Sequence, residues 1–179
     1  MQTARGIERY IIVLLGVLDR PVPTELHLQK ELFILSKAVK QIKDFIIYER
    51  HHEGPFSADL HDVSFSPIFY PNAYIRDYKS GYILKPEGKE IFQKIVAANS
   101  NSPEFVEFLA MSKMVRELYD NLSRDELLLL IYSTYKEYTE FSTVSERILE
   151  PKTRERLAKG LLKKGVITEE RFKEIMESK

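Results

Sequence analysis

Apolar residues recur every three or four positions along much of the chain, a spacing that places them on one side of an α-helix. The first apolar stripe consists of Ile7, Tyr10, Ile11, Leu14, Leu15 and Leu18. Asp19-Arg20-Pro21-Val22-Pro23 interrupts this pattern, and Thr24 is a suitable N-cap for a second helix. The buried stripe predicted for that second helix consists of Leu28, Leu32, Leu35, Val39 and Ile42.

In the middle of the chain the spacing of apolar residues changes from that of long helices to that of turns, a short helix and strands. Gly54-Pro55 predicts a sharp turn, and Ser57 is expected to cap a short helix that ends near Ser64. Residues 73–78 then alternate as a strand does, Lys79-Ser80-Gly81 predicts a tight turn, and residues 82–84 predict the returning strand. A helix is expected to follow from Pro86, because proline is accepted in the first turn of a helix.

The remainder of the chain is predicted to be helical. One apolar pattern runs from Phe105 to Tyr119, and Ser123 with Glu126 forms a capping box before the next helix. Gly165 and Thr168 predict the turn of a helical hairpin at the end of the chain. Breaks at Asn99-Ser100-Asn101-Ser102-Pro103 and at Pro151 divide the sequence into three predicted segments, 1–98, 103–150 and 151–179.

The amino-acid composition excludes several classes of function. The 179 residues suffice for a hydrophobic core, and the absence of cysteine excludes disulfides, thiolate metal sites and a cysteine nucleophile. The 27 basic and 27 acidic residues balance, but residues 101–150 carry a net charge of −5 and residues 151–179 a net charge of +4. The apolar run from Tyr10 to Leu18 is too short to cross a bilayer, so a cytoplasmic protein without membrane contact is expected.

The order of these elements predicts a mainly α (α+β) fold. We expect a winged helix-turn-helix with a two-stranded β-hairpin wing, a helical extension and a C-terminal helical hairpin. The segment Tyr82-Ile83-Leu84-Lys85-Pro86-Glu87-Gly88 resembles the sequence that ends the wing in many bacterial and archaeal winged-helix regulators. In those proteins a threonine often stands where this chain has Lys85.

Two further stretches carry a more specific resemblance. Leu28-Gln29-Lys30-Glu31-Leu32-Phe33-Ile34-Leu35, followed by Glu53-Gly54-Pro55-Phe56-Ser57, is similar to the Panacea (SocA-like antitoxin) group over about Leu26–Phe92. Glu31 stands where that group usually has an apolar residue. The resemblance implies a non-enzymatic module that binds a protein partner, often as the antitoxin of a toxin–antitoxin pair, with the partner encoded by an adjacent gene.

The predicted DNA-reading helix argues for a protein partner over DNA. It carries Asp59, His61 and Asp62 but neither lysine nor arginine, whereas cations supply most of the affinity for a phosphate backbone. This interpretation requires the two carboxylates to be exposed. The alternative is a DNA-binding transcriptional regulator of the winged-helix class, whose nucleic-acid contacts would come from Arg50, Arg76, Lys79, Lys159, Lys163 and Lys164.

The candidate residues for partner binding are those of the Gly-Pro turn and of an aromatic series near the middle of the chain. They are Gly54, Pro55, Phe56, Tyr138 and Phe141. In the aromatic series we expect Tyr132 and Tyr135 to pack in the core, with Tyr138 and Phe141 partly exposed. The sequence is also compatible with a homodimer.

Few residues in the sequence are spaced as catalytic or metal-binding groups are. His51, His52 and Glu53 with Asp59, His61 and Asp62 supply metal-ligand types, yet adjacent histidines on a strand point to opposite faces. Ser57, Asp59 and His61 alternate on one short helix, which does not suit a catalytic triad. No phosphate-binding loop is present. No catalytic residue, cofactor or metal is therefore predicted, and a metal-dependent enzyme remains a third hypothesis.

Overall fold

The computed structural model describes residues 2–177, which are mostly helical and contain two small antiparallel sheets. The helices are α1 (Gln2–Gly16), α2 (Glu25–Ala38), α3 (Lys40–Lys43), α4 (Ala58–Phe65), α5 (Pro86–Asn99), α6 (Pro103–Tyr119), α7 (Arg124–Thr134), α8 (Ser145–Leu149), α9 (Pro151–Lys163) and α10 (Glu169–Glu177). The strands are β1 (Glu49–His51), β2 (Gly54–Phe56), β3 (Tyr74–Asp77) and β4 (Gly81–Leu84). The α+β class is thereby confirmed.

The main boundaries agree with the sequence pattern. The Thr24 hydroxyl caps α2, the Ser57 hydroxyl caps α4, and Ser123 forms the predicted capping box with Glu126 at the start of α7. The second helix was predicted to continue to Ile42, but α2 ends at Ala38 and α3 is separate. The hairpin of β1 and β2 was predicted only as a turn.

The chain divides into two compact units. Unit 1 runs to Tyr48 and then from Ser57 to Asp120, and unit 2 comprises Glu49–Phe56 and the chain from Asn121 onward. These boundaries differ from the three predicted segments, since α6 packs with α1 and α2 inside unit 1 while the hairpin of β1 and β2 belongs to unit 2. None of the helices between residues 2 and 177 combines the length and apolar character that crossing a bilayer requires.

The core of unit 1 is built around α1. Its side chains Ile7, Ile11 and Leu14 are fully buried, and α1 packs against α4, α5 and α6. The Glu8 carboxylate on the same helix is also fully buried, where it accepts N–H hydrogen bonds from Ile68, Phe69 and Tyr70. A buried carboxylate is tolerated when its oxygens are hydrogen-bonded in this way, so Glu8 ties the loop after α4 to α1.

In unit 1, β3 and β4 form a hairpin in which Ile75 lies opposite Ile83 and Arg76 lies opposite Tyr82. The chain between α1 and α2 joins this hairpin through a bridge: Val22 and Tyr82 exchange two backbone hydrogen bonds of 3.0 and 2.8 Å. Gly81 has φ +84°, and a Cβ at this position would lie 2.0 Å from the Val22 carbonyl oxygen. Glycine is therefore required where the three segments meet.

Unit 2 assembles shorter elements around α7. The buried residues Leu127, Leu128 and Ile131 of α7 pack with α8 and α9, and α10 folds back on α9 after Gly165. The Ser142 hydroxyl donates to the His52 carbonyl at 3.0 Å and lies 2.7 Å from the Tyr132 hydroxyl. These bonds hold the hairpin of β1 and β2 within unit 2.

Candidate functional site

The short helix α4 is held by buried polar contacts at its N-terminus. The Gln29 amide nitrogen donates to the Ser57 carbonyl, and the Ser57 N–H donates to the Gln29 amide oxygen, both at 3.0 Å. Leu60 and Val63 face the core of unit 1. Because the buried positions are used in this way, Asp59 and Asp62 lie on the outward side of α4, one turn apart, and both are exposed as the sequence interpretation requires.

A cation and two aromatic rings continue this surface onto β3. The Arg76 guanidinium lies 3.9 Å from the ring centre of Phe65 and 5.4 Å from that of Tyr78. It is also 3.5 Å from the Glu25 carboxylate. Phe65 is 41% exposed and Tyr78 is 90% exposed. We call the surface formed by Asp59, Asp62, Phe65, Arg76 and Tyr78 the α4–β3 face.

Carboxylates dominate the charge around the α4–β3 face. Glu25 pairs with Arg76 and its other oxygen contacts the His61 imidazole. At the tip of the hairpin the Asp77 carboxylate accepts the N–H groups of Lys79 and Ser80, which holds the pKa of Asp77 below its usual value. Arg76 is therefore already paired with a carboxylate and covered by an aromatic ring. The carboxylates of Asp59 and Asp62, in contrast, are exposed to solvent.

Most of the cations proposed for nucleic-acid contact are paired with carboxylates. The ion pairs are Arg50 with Glu140, Arg76 with Glu25, Lys159 with Glu155, and Lys164 with Glu126. Lys79 and Lys163 form no ion pair within residues 2–177, and they belong to different units. The structure therefore does not gather these six residues into one basic surface within either unit.

The residues predicted to bind a partner all lie in unit 2, where their environments differ. Gly54 and Pro55 are buried, and Gly54 has φ +81°, as a left-handed turn requires. The Phe56 ring is half-buried and stacks on His51 with 4.7 Å between ring centres. A glycine at position 54 is thus explained by the hairpin alone.

The aromatic series divides differently from the prediction. Tyr132 is buried as expected, and Phe141 is 63% exposed, with Arg50 5.9 Å from its ring centre. The expectation of partial exposure is wrong for Tyr138, which is 8% exposed. The physical reason is that α7 ends at Thr134, and the following 3-10 helix (Lys136–Tyr138) packs against α7 and β1.

The histidine- and aspartate-rich segment does not form a metal site in the described part of the chain. Within residues 2–177 no group of three or more His, Asp or Glu side chains converges in a way that could hold an ion. His51 and His52 lie in unit 2 with ring centres 3.8 Å apart, whereas Asp59, His61 and Asp62 lie on α4 of unit 1. The Ser57 hydroxyl is used to cap α4.

Sequence reasoning missed several residues that shape the α4–β3 face. Glu25, Phe65 and Tyr78 were not singled out, and Gln29 was seen only as part of a motif. The roles of Gln29 and Glu25 depend on contacts with Ser57 and Arg76, which lie 28 and 51 residues away in the sequence. A local signal was present only for Phe65, which follows Asp59 and Asp62 at three-residue spacing on the helix.

Comparisons with protein-family models, with curated proteins and with solved structures found no match to this chain.

Proposed function

We propose that unit 1 is a winged-helix module, of the antitoxin-like regulatory type, that binds a protein partner through the α4–β3 face. The winged-helix assignment is supported by the bridge between Val22 and Tyr82. In a winged helix the segment between the first two helices pairs with the last strand of the wing, and α4 occupies the position of the reading helix. Residues 39–56, inserted between α2 and α4, are longer than the turn of a simple helix-turn-helix.

The observation that carries the proposed function is the exposure of Asp59 and Asp62 on α4, beside Phe65 and Tyr78. Carboxylates on the outward side of a reading helix repel phosphates, so this helix is poorly suited to the major groove. Exposed aromatic rings beside charged groups are instead typical of protein interfaces. The partner that fits is a polypeptide surface that presents basic side chains around an apolar centre.

The test is co-expression with the product of the neighbouring gene, followed by affinity capture of the full-length pair. The charge reversal Asp59→Lys/Asp62→Lys is expected to weaken the complex by at least about tenfold, because like charges across an interface are costly. Glu107→Lys/Glu117→Lys is the matched control, since it makes the same change at exposed positions of α6. Equal retention of the partner by both double variants would contradict the proposed surface.

DNA binding is measured on the same proteins by fluorescence anisotropy with labelled random duplex DNA at low and at physiological salt. The wild-type chain is expected to bind weakly, and Asp59→Lys/Asp62→Lys is expected to bind more tightly than the α6 control. Tight wild-type binding with a steep salt dependence, unchanged by the α4 substitutions, would favour the transcriptional-regulator alternative instead.

A further inference from the structure

Unit 1 contains a cavity of about 380 Å³ that lies away from the α4–β3 face, among α1, α3, α5 and α6. Its walls are mainly aromatic and aliphatic, and its rim carries a few polar side chains. The lining residues on which the argument depends are Arg9, Tyr10, Val39, Phe45, Phe105 and Phe108. A cavity of this volume and composition has the properties of a small-molecule site.

The aromatic rings present edges as well as faces around this cavity. Tyr10 meets Phe45 and Phe108 edge-on, with ring centres 5.8 and 5.6 Å apart, and Phe105 lies 6.2 Å from Phe108. Gly6 also contributes, because a Cβ there would lie 2.2 Å from the Phe45 ring. Rings in this arrangement favour a planar aromatic guest, which can make the same edge-to-face contacts.

Two polar groups of the lining have no protein partner within residues 2–177. Between residues 2 and 177 no carboxylate pairs with the Arg9 guanidinium, and no group forms a hydrogen bond with the Tyr10 hydroxyl. Burial and the nearby Asp44 raise the pKa of Tyr10, so its hydroxyl stays protonated and remains a donor. Tyr10 is half-buried at the cavity, so its hydroxyl can donate a hydrogen bond to a bound molecule.

The other charged residue that lines the cavity, Glu104, already has a hydrogen-bond partner in the protein. The Ser102 hydroxyl donates to the Glu104 carboxylate at 3.0 Å at the start of α6, and hydrogen bonds there hold the pKa of Glu104 below its usual value. Glu104 is therefore anionic and already hydrogen-bonded to Ser102, whereas the exposed Arg9 is cationic and has no carboxylate partner within residues 2–177. We infer that this cavity binds a small planar aromatic molecule whose anionic head group contacts Arg9 and the Tyr10 hydroxyl.

The experiment uses two fluorescent probes that match in ring system and differ in charge: anilinonaphthalene sulfonate, which is anionic, and phenylnaphthylamine, which is neutral. Each is titrated against the full chain and its variants. Arg9→Gln is expected to weaken binding of the sulfonate about tenfold, because it removes a charge-assisted contact. It is expected to leave the neutral probe unchanged. Arg5→Gln, which makes the same charge change one turn earlier on α1, is the control.

A second substitution tests the location. Val39→Phe fills the cavity from a half-buried position and is expected to abolish binding of both probes, with the fold checked by circular dichroism. Gln41→Trp blocks the cavity from an exposed lining position and replaces it if Val39→Phe unfolds the chain. Undiminished binding of both probes to the blocked variant would overturn the site. Equal effects of Arg9→Gln and Arg5→Gln would overturn the anionic class of ligand.

Discussion

Each unit contains an arginine–aspartate pair, and the two pairs differ sharply in burial. Unit 1 buries Arg116 completely: the guanidinium pairs with Asp120 at 2.8 Å and donates to the carbonyls of Leu14, Arg20 and Pro21. In unit 2, Arg147 donates two hydrogen bonds of 2.7 and 2.8 Å to Asp125, and the Arg147 side chain is 51% exposed.

This contrast shows that the same kind of ion pair does different work in the two units. A buried guanidinium is stable only when nearly all its donors are satisfied. Arg116 therefore ties α6 to a backbone carbonyl of α1 and to two carbonyls of the loop after α1. A half-exposed pair is screened by water and contributes little by itself. We therefore expect unit 1 to depend on single residues, and unit 2 to depend on the sum of many weak contacts.

The largest expected effect comes from removing the buried cation. Arg116→Met is expected to lower the free energy of unfolding by about 3–5 kcal/mol, because Asp120 Oδ1 and three backbone carbonyls lose their donor while Arg20 continues to pair with Oδ2 only. Arg147→Met in unit 2 is the matched control and should change it by about 1 kcal/mol or less. Urea denaturation followed by circular dichroism measures both. Equal losses would remove the contrast between the units.

The next effect compares two glycines that both adopt a left-handed backbone. Gly81 has φ +84°, and a Cβ there would lie 2.0 Å from the Val22 carbonyl oxygen, whereas Gly165 has φ +69° with open space around it. Gly81→Ala is expected to cost about 3 kcal/mol, from backbone strain together with displacement of a backbone segment. Gly165→Ala should cost only the strain, about 1 kcal/mol. Thermal unfolding distinguishes these values, and similar losses would show that unit 1 yields at this contact.

The smallest expected effect is on the pH dependence of the free energy of unfolding, to which Glu31 and Asp125 are expected to contribute with opposite signs. Burial raises the pKa of Glu31 well above its ordinary value; the nearby Asp120 adds to the rise, and Arg116 opposes it. Hydrogen bonds from Arg147 lower the pKa of Asp125 below its ordinary value. The contribution of Glu31 is therefore fully present below about pH 4.5 and is lost as the pH rises through its raised pKa, whereas that of Asp125 is present above about pH 3.8 and is lost in stronger acid.

Two isosteric variants test these signs. Glu31→Gln is expected to be more stable than the wild type in mildly alkaline solution, with the advantage shrinking as the pH falls, since Gln mimics the protonated carboxyl. Asp125→Asn is expected to be less stable than the wild type at neutral pH, and to match it in strong acid. Urea midpoints measured across the pH range report both trends. A wild-type advantage over Glu31→Gln that grows with pH would show that Glu31 is charged in the folded chain.

Local patterns predicted the elements of this protein better than its site. The capping residues Thr24, Ser57 and Ser123 and the hairpin turn that ends at Gly81 depend on neighbours within a few positions, and the structure confirms each of them. Tyr138 was assigned the wrong environment because its burial depends on packing beyond its neighbours: α7 ends at Thr134, and the 3-10 helix that follows packs against α7 and β1.

The sequence by itself determined most of the helical segments, several of their caps, and that α4 carries Asp59 and Asp62, because these properties follow from side chains close together in the chain. Only the tertiary structure decided which charges are free. Arg76 is neutralised by Glu25, Arg116 is enclosed by distant carbonyls, and Arg9 beside the aromatic cavity pairs with no carboxylate in the described part of the chain. Whether a charge is paired depends on residues far apart in sequence, and burial sets the strength of each pair once the helices have packed.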